Sequence, residues 1–486
     1  MDNGKARLHQ LSKIAVVALG VQLLIALIFF KERFFFADTS YAAFYIINSK
    51  SLAIMNQRYG SFITQIVPYL AQRMHLPLTS VLISYAASFH LFYLTVIAVM
   101  HKCKQYGLAI LMSFYYYLLV SDSFFLANDE IHQGIAWMFL FFAVIIQLRK
   151  KHINTLVILI PFIVLFFLTV SSHFIAIIPT LFLWVYLIIE RDNWPFSNKK
   201  TIVLSVLILA IILLKFMISQ GQSYENNYLS GVLRVSLKDI IESFSRPVVQ
   251  MFLYRCLINY WIGVVVFFVG LISLLKSKKI KLAVWTLISC IGYFTLMGLV
   301  FGRYDGNFIL CHIETEWASL SIILAAPFVF SFLPRLKSSM AILFLIVIFA
   351  TRLVYICSSA QKFVLREHYK ESIMAEMKKK GITKLALYLD SFHQHTFILD
   401  WTLSYETMLQ SGMKGDDPQI NFIFVNRDDK QTQDLIKNSN GFFDVWGMMP
   451  ARALNKEYFR IDTANSYQIM TYEELFQMKK HHLAIY

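Results

Sequence analysis

Five stretches of this chain carry residue types that can move a proton or hold an anion. Asp38 opens an Asp-Thr-Ser-Tyr element, and Arg58 stands in a polar stretch beyond it. Asn128, Asp129, Glu130 and His132 come together, His173 follows a Ser-Ser pair, and Arg303, Asp305, His312, Glu314 and Glu316 crowd one short segment. A carboxylate within hydrogen-bond reach of a hydroxyl can take its proton. Asp38 is the first candidate for that base, with Glu130 or Asp129 orienting the hydroxyl or a cation. Arginine forks onto phosphate oxygens, so Arg58 and Arg303, with His132, are candidate phosphate contacts. His173 is placed to orient a carboxylate, and His312 and Glu314 complete the set of substrate contacts. Each residue has a plainer use. Asp38 suits a helix N-cap, Asp129 and Glu130 complement a helix dipole, and His173 packs between helices. The spacing is not that of a zinc helix. The five cysteines are scattered, with no C-x-x-C. No cofactor follows from a motif, and a carboxylate-held divalent cation stays an open alternative.

The elements that must position these residues are membrane helices. The chain of 486 residues is 57% hydrophobic and 15% charged, far more apolar than a soluble domain. Its apolar residues fall in runs of about 20, the length that crosses a bilayer core. The fold class expected is a polytopic α-helical membrane protein of eleven spans, near 13–30, 79–100, 107–126, 131–148, 153–170, 173–190, 201–219, 257–275, 281–301, 317–334 and 339–357. The first follows Lys5, Arg7 and Lys13 and lacks a small-residue cleavage site, so it reads as a retained anchor. Between 31 and 78 lie two amphipathic stretches, Tyr41–Ile54 and Tyr59–Met74. The second places Phe62, Ile66, Tyr69 and Leu70 on one side, as a helix lying in an interface does.

The formal net charge of +15 raises nucleic acid as a partner, but much of the excess sits in short loops. Lys5, Arg7 and Lys13; Lys102 and Lys104; Arg149, Lys150 and Lys151; Arg191, Lys199 and Lys200; Lys276, Lys278, Lys279 and Lys281; and Arg335 and Lys337 fall at alternate span ends. That is a topology signal rather than a nucleic-acid surface. It places those ends and the N-terminus in the cytoplasm. An odd number of spans carries the C-terminus to the far side of the cytoplasmic membrane. The candidate residues then gather at the outer face, beside a polar segment holding Tyr224, Glu225, Asn226 and Asn227. After Ile356 the composition turns polar, with strand-like runs Leu385–Leu389 and Ile420–Val425. Two domains are expected: a membrane domain at 1–358 and a soluble, non-cytoplasmic α/β domain at 359–486.

Ile131-His132-Gln133-Gly134-Ile135-Ala136, an apolar run and Arg149-Lys150-Lys151 together resemble the EpsG-type exopolysaccharide polymerases. That family has I-R-Q-G-x-A, an apolar helix and a basic turn. Ser172-His173-Phe174-Ile175-Ala176 is similar to its following hairpin, and Asp38-Thr39-Ser40-Tyr41 to its early D-T-x-x-Y element. The resemblance covers roughly residues 35–190. It departs at His132, where the family carries arginine; histidine holds a phosphate only when protonated. The layout also resembles the C-type membrane glycosyltransferases, which combine an acid in the first outer loop, interfacial helices and an outer C-terminal domain. Both resemblances imply glycosyl transfer from a polyprenyl-phosphate or pyrophosphate carrier to a glycan acceptor. Two other classes remain open. A lipid-linked oligosaccharide flippase or transporter expects mid-membrane polar groups and related halves, and a membrane assembly scaffold would bind through the soluble domain.

Overall fold

The computed structural model describes residues 3–150, 154–190, 194, 196–219, 235–302, 310–391 and 399–477. Arg303 and Asp305, Lys151, Arg191 and the 224–227 segment therefore lie outside the described residues. Seven helices are long and apolar enough to cross a membrane: Gly4–Ile28, Leu78–Lys102, Glu130–Leu148, Asn198–Ile218, Ile280–Val300, His312–Arg335 and Ser338–Lys379. An eighth crossing results if Leu237–Ile258 and Trp261–Lys276, bent by 86°, form one span. Their outward faces are apolar. Ile202, Val203, Leu209 and Leu213 project from one helix and Val284, Leu287, Ile288 and Ile291 from another. Water tolerates no such belt on a monomer, whereas hydrocarbon does, and each helix satisfies its backbone internally.

This corrects the expectation of eleven full spans. Three of the expected spans are shorter helices, Tyr106–Leu118, Val157–Ser172 and Phe174–Glu190. At 1.5 Å per residue, a 13-residue helix reaches about 20 Å, against a core of about 30 Å. The apolar run of the first continues past Leu118. The chain nevertheless leaves the helix there, because the backbone amides of Ser121, Asp122 and Ser123 turn to the carboxylate of Glu314. The other two are separated at His173, whose Nδ1 accepts from the Ile175 amide at 3.3 Å.

In chain order the helices are α1 (Asn3–Ile28), α2 (Phe30–Phe34), α3 (Ala37–Ser49), α4 (Phe62–Arg73), α5 (Leu78–Lys102), α6 (Tyr106–Leu118), α7 (Glu130–Lys150), α8 (Thr155–Ser172), α9 (Ile177–Glu190), α10 (Asn198–Ser219), α11 (Leu237–Ser243), α12 (Pro247–Ile258), α13 (Trp261–Lys276), α14 (Ile280–Val300), α15 (Leu310–Ala318), α16 (Leu320–Pro327) and α17 (Ser338–Lys379). Basic helix ends meet at one pole of the bundle. Arg7 donates to the Pro334 carbonyl, Arg335 to the Ser273 carbonyl at 3.4 Å, and Lys279 to Glu190 at 3.4 Å. A cavity of about 270 Å³ there is lined by Lys5, Lys104, Gln105, Gln147 and Phe330 among others. The candidate site residues stand at the other pole.

Of the two amphipathic stretches, α4 turns its polar side inward. Thr64, Gln65 and Gln72 are buried, while Val67 and Leu70 are exposed. By contrast α3 lies inside the protein, with Ala42, Phe44, Ile46 and Ile47 buried, because a further unit covers it.

That unit begins within α17, a single helix of 42 residues, about 63 Å long. Residue 358, where the composition changes, falls inside it. Ile373, Met374 and Met377 of α17 pack on Leu385, Leu387 and Phe422. Strands β1 (Lys384–Tyr388), β2 (Asn421–Val425) and β5 (Gln468–Met470) form a parallel sheet in the order β2-β1-β5. Parallel pairing requires a crossover, and α18 (Leu403–Met413) supplies it between β1 and β2. Strands β3 (Phe442–Asp444) and β4 (Gly447–Met449) make a separate hairpin. The unit docks on α3: Phe442 stacks on Phe44 with ring centroids 5.0 Å apart, and Tyr45 donates to Asp444 at 2.7 Å.

Candidate functional site

Helix α7 organises the site. Glu130, Gln133 and Trp137 recur at helical spacing and face the segment 58–64. Arg58 pairs with Glu130 at 2.8 Å, the Thr64 hydroxyl donates to Gln133 at 3.0 Å, and the Trp137 indole donates to the Gly60 carbonyl at 2.9 Å. On the neighbouring face Gly134 meets α8. A Cβ there would lie 3.0 Å from Ser172 Cβ and 3.2 Å from the Thr169 carbonyl oxygen. Gly60 approaches the same residue, since its Cβ would lie 1.8 Å from Ser172 Oγ and 2.5 Å from the Leu168 carbonyl oxygen. Two glycines thus converge on Ser172, and that close approach sets Arg58, Glu130 and His173 around one spot.

Asp38 joins them from α3. The N-cap position there is Phe36, and no side chain caps the helix. Asp38 therefore does not serve as the cap its sequence allows. Its carboxylate accepts no hydrogen bond from the described residues, and it keeps partial exposure while its neighbours Ala37, Thr39 and Ser40 are buried. It lies deep among protein atoms, within electrostatic reach of Glu130, Asp129 and Arg58. Burial, then the negative charges of Glu130 and Asp129, against the pull of Arg58, push its carboxyl up to about 7. Thr39 ties this end of α3 to the α7 loop by accepting from the Asn128 amide at 3.1 Å.

Asp129 is different: its Oδ1 accepts from the Ile131 amide at 2.8 Å, so it caps α7, the plainer of its two uses. His132 is buried, its Nδ1 2.7 Å from the Tyr115 hydroxyl and its carbonyl accepting from Tyr116 at 2.8 Å. His173 Nε2 stands 4.0 Å from Glu316 Oε1, and Glu316 Oε2 has no hydrogen-bond partner among the described residues. His312 is in electrostatic reach of Asp129 and Arg58. Glu314, expected among the substrate contacts, is instead spent structurally. It accepts from the hydroxyls of Ser121 and Ser123 at 3.0 and 2.9 Å, besides the amides that end α6. Glu316, two residues on, is the carboxylate that faces His173. Among the described residues, no group of three or more His, Cys, Asp and Glu side chains converges as a metal-ligand set.

The C-terminal unit holds the chain just before Asp38. Arg366 and Lys370 of α17 both donate to the Phe35 carbonyl, at 2.9 and 2.6 Å. Glu406 of α18 pairs with Arg366 at 2.8 Å and with Lys370 at 2.8 Å, and accepts from the Ala37 amide at 3.3 Å. Ala37 has φ +47°, a left-handed conformation costly for a residue with a Cβ. These bonds fix it there. Despite complete burial, the charges of Arg366 and Lys370 hold the Glu406 carboxyl down at about 2.

The arrangement offers a partly exposed acid, an arginine–glutamate pair and, at the break between the short helices α8 and α9, His173. It can take a proton from a hydroxyl and receive negative charge on Arg58. No family model, curated protein or solved structure matches the chain.

Proposed function

We propose that the protein is an integral membrane glycosyltransferase or polysaccharide polymerase. It transfers sugar from a polyprenyl-phosphate or pyrophosphate carrier to a glycan acceptor at the outer face of the cytoplasmic membrane. The observation that carries this reading is Asp38: a partly exposed residue whose carboxylate accepts no hydrogen bond among the described residues, raised to about 7, in electrostatic reach of Arg58 and Glu130, themselves paired at 2.8 Å.

In the proposed reaction the acceptor oxygen bonds to the anomeric carbon of the donor sugar while the bond from that carbon to the phosphate oxygen breaks. The acceptor proton passes to Asp38, and the carrier leaves with the electron pair, its new charge met by Arg58. Because the short helices α6, α8 and α9 end at the site, a lipid carrier would meet these groups below the outer membrane plane. The lipid-exposed side of α4 lies alongside.

The test is transfer by the purified full-length protein in proteoliposomes supplied with a lipid-linked sugar and an acceptor. Formation of a glycosidic product is the expected result. Passage of the intact lipid-linked sugar between leaflets without product would replace this reading with a flippase.

A further inference from the structure

Arg33 is 3% exposed, and no carboxylate among the described residues pairs with it. Its Nε donates to the Phe124 carbonyl at 2.9 Å, and its guanidinium lies 4.6 Å from the centre of the Phe124 ring. Its Nη1 has no hydrogen-bond partner among the described residues. Close by, His90 is 4% exposed, and its Nδ1 is also without a hydrogen-bond partner among the described residues. Both side chains line one partly open cavity, with Gln22, Tyr93, Ser123 and His132. The cavity leaves about 20 Å³ for the centre of a water-sized sphere, room for one small particle.

A water could satisfy the two nitrogens, but it would leave a buried guanidinium charge uncompensated. Removing such a charge from water carries a penalty of several kcal/mol unless an opposite charge meets it. Of the lining groups, Gln22 and Ser123 already donate elsewhere, while the Arg33 guanidinium, the His90 imidazole and the Tyr93 phenol can donate into the cavity. A tetrahedral oxyanion needs several times the space. We infer that Arg33, His90 and their neighbours form a buried binding site for one halide-sized anion, chloride under ordinary conditions, wedged between the end of the first span and the 122–125 turn.

The test uses the purified full-length protein in detergent, in sodium gluconate, titrated with sodium chloride or bromide at constant ionic strength. A ligand that binds only the folded state raises the melting temperature in a saturable way. The wild-type Tm should rise by several degrees with either halide. Arg33→Met should show no such rise. A wild-type Tm indifferent to halide would overturn the proposal, as would an equal halide response in Arg33→Met. A saturable rise with inorganic phosphate alone would overturn the halide assignment. Should Arg33→Met not fold, Arg33→Lys keeps a charge without the fork and should shift the titration to higher chloride. Bromide-soaked crystals of the wild type give a check without any variant: an anomalous peak within hydrogen-bond distance of the Arg33 guanidinium is expected, and its absence would remove the site.

Discussion

Substituting Asp38 by Asn keeps the shape and removes the charge. If Asp38 takes the acceptor proton, turnover should fall by about 100-fold or more. Since the cap position is Phe36, no lost helix cap can account for such a fall. A carboxyl raised in the folded protein to about 7 from its ordinary 3.8 binds a proton more tightly when folded. Its ionisation therefore costs stability above pH 7, and that cost fades as pH falls towards 4. Asp38→Asn should thus melt at or above the wild-type temperature at pH 8 while being nearly inactive. A near-normal turnover would move the base to Glu130 or Glu316. Activity of the wild type should rise with pH on a limb centred near 7, measurable in kcat/KM, and Asp38→Asn should lose that limb.

The place of Asp38, a short way beyond the first apolar run, was legible. The choice of Glu314 over Glu316 was not. The two stand two residues apart on one helix, about 200° around its axis, and composition does not say which face looks inward. The geometry places His312 and Glu316 on one side and Glu314 on the other. Arg33 sits in Lys31-Glu32-Arg33, which reads as an ordinary charged loop, so nothing marked it as buried.

Among the elements, the contact of Gly60 with α8 is the narrowest. Gly60→Ala would drive a Cβ to 2.5 Å from the Leu168 backbone oxygen, which cannot rotate aside as Ser172 Oγ can. A cost of about 1–3 kcal/mol is expected, read as a lower Tm, together with reduced transfer as Arg58 shifts from Glu130. Unchanged Tm and turnover would mean that this approach does not set the site. The tie between α18 and the α2–α3 junction is testable in the same terms. Glu406→Gln removes the carboxylate that Arg366 and Lys370 share and leaves Glu367 as their remaining acidic partner, so a loss of about 3 kcal/mol is expected, with Asp38 released from its place. Because the folded Glu406 carboxyl lies near 2, its contribution is complete above about pH 4.5 and lost only as pH falls towards 2. Near neutral pH that titration adds no pH dependence to the variant's deficit; Glu367, raised to about 7 beside the same cations, is the group that does. Hydropathy located the helices well, since apolar runs and apolar surroundings coincide. It overstated their lengths where a polar clasp, such as Glu314 on the 121–123 amides, ends a helix inside an apolar run.

At the scale of the molecule, the gathering of basic ends at one pole and acidic site residues at the other gives a definite expectation of orientation. Alkaline phosphatase fused after Tyr486 should be active in cells, and a cytoplasmic fluorescent reporter at the same position dark. The reverse pattern would place the site on the cytoplasmic side and exclude an outer-face transferase. The C-terminal unit was recognisable from its change in composition. Its docking on α3 was not, because the partners Phe44 and Phe442, or Tyr45 and Asp444, are remote in sequence and individually unremarkable.

The unbroken α17 joins span and sheet with no hinge. Arg352 on this helix donates to the Tyr117 and Val120 carbonyls at 3.0 and 2.8 Å. Lys370, about five turns further along, grips Phe35 and Glu406 on nearly the same side. Helical phase is therefore part of the fold's specification. One residue inserted after Ser359 would turn everything beyond it by about 100° and advance it by about 1.5 Å, carrying Lys370 off its partners. An ordinary interdomain linker absorbs insertions and deletions freely; this segment behaves as a keyed shaft, and changes of length here should be tolerated far less well than changes of residue on its outward side.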